Sequence, residues 1–198
     1  LQSQSMREAG DPVAGAELAK EAIRLAEASG DELAIATAKF NQAGIEYAQG
    51  HTETAQQLHH EVLPMFRGLG NRLNEARVLS RMALAGADLG DFKQAIDDSL
   101  ESEKLMSEIG DLPGLGFVLS TRGNVYHRHG ELEPALEYFG MAEQIYREIN
   151  DQRLLAMCAG NRALMLRQLR RFDEAEPPVH ECTRIARNTG DRLTLAKN

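Results

Sequence analysis

Tryptophan is absent from this 198-residue sequence, and aromatic residues make up only 5% of it. With so few rings, a core must be filled mostly by alanine, leucine, isoleucine and methionine. Only two cysteines occur, Cys158 and Cys182. They fall on opposite halves of one repeat unit and read as buried, reduced thiols of a cytoplasmic protein. No apolar run approaches the roughly 20 residues of a membrane span, and the first residues show no secretory pattern. No membrane partner is expected. Basic residues are outnumbered, 22 against 30, for a net charge of -8. A general nucleic-acid binder needs a basic face to displace counterions, so direct nucleic-acid binding is not expected either. What is plentiful is hydrophobic sequence, at 42%, enough for a continuous core between stacked helices.

The organising pattern is clearest in Gly123 to Ala142, GNVYHRHGELEPALEYFGMA. Gly123, Tyr126, Gly130, Ala135, Phe139 and Ala142 follow at spacings of 3, 4, 5, 4 and 3. This reads as helix, tight turn, helix. Small residues at Gly123 and Ala135 would let the two helices approach, with Tyr126 and Phe139 filling the space beside them. Shifted by 40, the same residue types return. Gly10, Gly50, Gly90 and Gly130 align, and Arg170 breaks the column. Ala55, Ala95, Ala135 and Ala175 form a second column, with Gly15 in the first copy. Gly30-Asp31, Gly70-Asn71, Gly110-Asp111, Asn150-Asp151 and Gly190-Asp191 form a third. Ala36, Ala76, Gly116, Ala156 and Ala196 form a fourth, and Ala43, Ala83, Gly123 and Ala163 a fifth.

These residues resemble the tetratricopeptide repeat, a helix-turn-helix unit that stacks into a solenoid. The common unit has about 34 residues; the period here is 40, adding nearly two helical turns per unit. The likeness is to the long-helix subclass found in kinesin light chains, Pins-type adaptors and bacterial signalling and transcription regulators. It implies an all-α, right-handed superhelix of about nine or ten helices over residues 1–198. Units are expected at 31–70, 71–110, 111–150 and 151–190, with a partial unit at 1–30 and another opening at 191–198. Both ends look cut from a longer array, so a fragment is expected. Asp11 should cap a helix that Pro12 opens. Pro64 should kink its helix, Pro113 and Pro134 sit harmlessly near helix starts, and Pro177 and Pro178 should delay or bend theirs.

Catalytic chemistry is hard to assemble. His127 and His129 lie at i,i+2, which do not share a helix face, and His59 and His60 diverge. No Cys/His spacing fits zinc. Gly114 and Gly116 lack the strand before and the Gly-Lys-Ser/Thr after that a phosphate loop needs. Acidic residues such as Asp97, Asp98, Glu101 and Glu103 are expected on the solvated outer face. Methionines 82, 106, 141, 157 and 165 are expected to fill core gaps. No enzyme activity, cofactor or metal is therefore expected.

The resemblance places the ligand against the first helix of each unit, in a concave groove. Mapped residue by residue, the groove positions include Asn41, Tyr47, Arg77, Arg81, Asn124, His127, Arg128, Asn161 and Arg167, with Ser80, Asp88, Phe117, Ser120, Thr121, Met157 and Leu164 among their neighbours. An asparagine amide offers donor and acceptor together, so it can grip a peptide backbone without demanding a sequence. Guanidinium forks suit carboxylates. The expectation is a protein or peptide ligand, extended and acidic or C-terminal, held by a regulatory or sensor module. Self-assembly through open solenoid ends, or service to an enzyme domain elsewhere, are the alternatives. Arg122 and Arg162 stand where the family usually has a core leucine. They either flank the core or face the ligand.

Overall fold

A computed structural model describes residues 12–189. Among them are nine helices and no strand: α1 (Pro12–Ser29), α2 (Glu32–Ala48), α3 (Thr52–Gly68), α4 (Arg72–Asp88), α5 (Phe92–Ile109), α6 (Leu112–His129), α7 (Leu132–Glu148), α8 (Gln152–Gln168) and α9 (Phe172–Thr189). Substantial packing runs between sequence neighbours, with α4 also against α6. This is an all-α repeat solenoid, in which each hairpin is covered by the next. The expected cap at Asp11 and the expected partial units at the two ends lie wholly or partly outside the described residues.

The repeated columns explain the helix ends. Asp31, Asn71, Asp111 and Asp151 each accept hydrogen bonds from backbone N–H groups two or three residues on, at the starts of α2, α4, α6 and α8. Each cap satisfies a donor the helix would otherwise orphan. The residue before each cap is left-handed, at φ 68° for Gly30, 63° for Gly70, 75° for Gly110 and 58° for Asn150. The turn inside each hairpin is left-handed too. Arg170 adopts φ 59° where its repeat equivalents are glycine, so the turn survives the break in the column.

Three prolines lie inside helices, and of the effects expected from them the late start is corrected. Helix α9 begins at Phe172 and runs through Pro177 and Pro178, so it does not start late. Helix α3 continues through Pro64 as one α-helix. Its 60-to-64 hydrogen bond is lost to the missing N–H, and the exposed position lets water take the freed carbonyl.

Small residues sit where facing side chains are large. A Cβ at Gly123 would lie 3.0 Å from the Phe139 ring, and one at Gly116 would lie 2.9 Å from Tyr146. One repeat earlier the same pairs of positions read Ala83 with Ser99 and Ala76 with Met106. Two units earlier the same pairs read Ala43 with His59 and Ala36 with Phe66, so a ring at the partner position does not by itself demand glycine. Phe66, Phe139 and Tyr146 are fully buried, each contributing roughly 1.5–3 kcal/mol from apolar burial. Of the methionines, Met82, Met106 and Met165 are core, whereas Met141 and Met157 are exposed.

Candidate functional site

The first helices α2, α4, α6 and α8 form one face, tied together by polar contacts one unit apart. Tyr47 Oη donates to Asp88 Oδ2 at 2.5 Å, joining α2 to α4. Arg128 Nε donates to the other carboxylate oxygen of Asp88, joining α6 to α4. Beside it, the Gln168 amide nitrogen of α8 lies 3.5 Å from His127 Nε2, a loose contact. Deeper, Ser80 Oγ donates to Thr121 Oγ1 at 3.3 Å. The result is a polar strap across four successive units. Three residues expected to meet ligand, Tyr47, His127 and Arg128, belong to it. Ser80, Ser120 and Thr121 are buried between helices and do not line an open groove.

Arg81 is different. Its guanidinium carbon sits 4.9 Å from the centre of the Phe117 ring, a cation–π contact. It is half-buried, and burial lowers its pKa. Among the described residues no carboxylate pairs with it, and Tyr47 would favour its charge only as a phenolate. Tyr47 itself is pushed up to about 12, first by burial, then by its hydrogen bond to Asp88 and that carboxylate's charge; Arg128 and Arg81 pull the other way. The phenol is therefore a neutral donor at physiological pH.

The remaining candidates are less engaged. Arg77 is exposed, its Nη1 3.5 Å from Asn74 Oδ1. Arg167 is exposed on α8, and Asn161 half-buried. Asn124 Nδ2 donates to Ser120 O within α6 at 3.0 Å, which leaves its carbonyl oxygen as the freer half. Asn41 is exposed and helps line an open hollow of about 630 Å³ between α1 and α2. The four arginines are thus not one uniform basic stripe: Arg128 is neutralised in place, and Arg81 is shielded yet unpaired.

Arg122 and Arg162 point into the seam between second helices, not at a ligand. Arg122 is buried; Nε donates to Ser99 Oγ at 2.9 Å, Nη1 to Glu103 Oε2 at 2.5 Å, and its carbon lies 5.0 Å from the Tyr138 ring centre. Arg162 Nη1 donates to Glu143 Oε2 at 2.6 Å, and Glu143 also accepts from Arg147 Nη2 at 2.8 Å. Each pair spans 19 residues, and the pairs are one unit apart. Sequence reading missed Glu103 and Glu143 as partners, although the recurring interval was there to find. The outer-face expectation for acidic residues is corrected accordingly: Asp98 and Glu143 are buried, and burial raises the pKa of Asp98.

His59 is buried against Phe40 with neither ring nitrogen hydrogen-bonded. Burial, then the charges of Arg81 and His60, lowers its pKa to about 4, so the ring is neutral. Cys158 and Cys182 are buried and not disulfide-linked; burial pushes the Cys158 thiol up to about 12, far from a reactive thiolate. Among the described residues no group of three His, Cys, Asp or Glu could hold a metal ion, and no helix is long and apolar enough to cross a membrane.

Comparison with known proteins bears on this architecture. Two models described as tetratricopeptide repeat match residues 74–148 and 155–189, together more than half of the chain. No curated protein matches it. A Rap protein solved in complex with the competence and sporulation factor superposes with a TM-score of 0.89 at 16% identity, covering 98% of this chain and 55% of that one. BtubC (BKLC) from P. vanneervenii gives a TM-score of 0.76 at 17% identity, over 93% of this chain and 77% of that one. PlcR from Bacillus thuringiensis, solved with the peptide PapR7 and DNA, gives 0.70 at 14% identity, over 90% of this chain and 67% of that one. At these identities the likeness is one of fold, and the chain spans about half the length of the Rap protein. The matched models and the stacked hairpins agree: the chain belongs to the tetratricopeptide repeat family.

Proposed function

We propose that this chain is a non-catalytic, cytoplasmic binding module that holds an extended peptide on the face of its first helices, with Arg81 anchoring a carboxylate of the ligand. Arg81 is the observation that carries the reading. A half-buried guanidinium without a carboxylate partner has lost hydration and gained only the Phe117 ring in return. A charge so placed is stabilised further by any anion that reaches it. The helices that carry Arg81 and Phe117 also carry the exposed Arg77 and Asn124, whose amide oxygen is the freer half of its side chain. The Rap protein and PlcR, solved with a factor and with a peptide respectively, make a regulatory role in a signalling or transcription protein the natural setting.

The test is fluorescence anisotropy with fluorescein-labelled hexaglutamate, and hexaglutamine amide as control. Arg81→Met keeps the packing stem and removes the fork. It should weaken hexaglutamate binding by about tenfold, the equivalent of a charged hydrogen bond at roughly 1.5 kcal/mol, with an unchanged melting temperature. Equal binding by both proteins contradicts the anchor. No binding by either, with a light-scattering mass that climbs with concentration, supports a self-assembling scaffold instead.

A further inference from the structure

The strap contains a carboxylate that does what a ligand's carboxylate would do. We propose that Arg128 is a second carboxylate subsite of this face, that Asp88 fills it in the unliganded chain, and that an acidic ligand binds by taking Asp88's place. The inference rests on the peptide-binding reading above and adds its competitor and its spacing.

Asp88 is poorly placed for its own sake. It is the last residue of α4, where the helix dipole disfavours a negative charge. Two partners from neighbouring units hold it there, the Tyr47 hydroxyl and the Arg128 guanidinium. Both members of the ion pair remain open to solvent, with side-chain exposures of 35% for Arg128 and 27% for Asp88. A pair so exposed is worth little on its own, so an incoming carboxylate can exchange for Asp88 with no buried charge left stranded. The Tyr47 hydroxyl, a neutral donor, is then free to donate to the newcomer.

The same arrangement sets a distance. Arg81 and Asp88 are seven residues apart on one helix, about 10 Å along its axis. Arg128 reaches Asp88, so the span from Arg81 to Asp88 is also roughly the span between the two carboxylate positions. An extended chain covers about 10 Å in roughly three residues. The ligand class is therefore a peptide whose two carboxylates lie about three residues apart, whether on two acidic side chains or on one side chain and a C-terminus.

Asp88→Asn should bind fluorescein-labelled hexaglutamate about five- to tenfold more tightly than the unaltered chain, and its melting temperature should not fall. Arg128→Gln added to Asp88→Asn should cancel that gain. Arg81→Met should weaken binding in either background. If Asp88→Asn binds no more tightly while Arg81→Met still weakens binding, the subsite is refuted and the anchor stands. A gain that survives Arg128→Gln is a general charge effect and also refutes the subsite. If hexaglutamate binds none of the proteins, the groove reading and this inference fall together.

Discussion

A buried histidine with no hydrogen-bond partner is costly, and His59 gives that cost a measurable pH signature. Its folded-state pKa, about 4, lies below the ordinary value of 6.5. Below pH 6.5 the unfolded chain takes up a proton that the folded ring refuses. Stability is therefore lost as pH falls from about 6.5 towards 4, by up to about 3 kcal/mol. Asp98 tilts the curve the other way. Burial raises its folded-state pKa, so its contribution is lost as pH rises from 3.8 through that raised value. The variant comparison isolates the histidine: His59→Ser, which copies Ser99 one unit on, should flatten the acid limb of urea-unfolding stability between pH 6.5 and 4. An unchanged slope would mean that the ring is not held neutral. Arg81 is the other residue whose environment and charge disagree, and it differs from His59 in facing an open surface, where a ligand can resolve the disagreement.

Hairpins are joined by seams whose composition varies while their geometry repeats. At one seam position the pair is Leu63 and Met82, both buried. One unit on it is Glu103 and Arg122, and two units on it is Glu143 and Arg162. A well-packed apolar pair and a buried ion pair can be near-equivalent in stability, but half an ion pair cannot. Glu103→Leu alone strands Arg122, whose side chain is 3% exposed, and should cost about 3–5 kcal/mol. Glu103→Leu with Arg122→Met, copying Leu63 and Met82, should recover most of it in chemical denaturation. Additive losses would contradict the seam. Helix ends were legible in the sequence because left-handed glycines and capping aspartates recur at fixed positions. The arginines were not. A charged residue in a core column is explained only by its partner, and Glu103 lies 19 residues before Arg122 on another helix. The strap was hidden for a related reason: aligned columns compare like residues 40 apart, whereas the strap joins unlike ones, Tyr47 to Asp88 and Ser80 to Thr121 at 41 and Arg128 to Asp88 at 40.

At the scale of the whole molecule, the described residues form no single central core. The apolar clusters follow the stack, one running from Ala36 to Val118 and another from Leu119 to Ile185. The fold was readable because each unit repeats the same solution. The candidate site was readable only in part, because the residues proposed to meet a ligand fall outside the repeated columns, and several are held by contacts between units. A chain of net charge -8 repels an acidic ligand except where a local cation is desolvated and unpaired. That contrast makes location the decisive observable. Cross-link mapping with a benzophenone-bearing hexaglutamate should place adducts on α4 and α6, around Arg81 and Phe117, and excess unlabelled hexaglutamate should abolish them. Adducts confined to the second helices α3, α5, α7 and α9, or scattered without preference, would contradict the account.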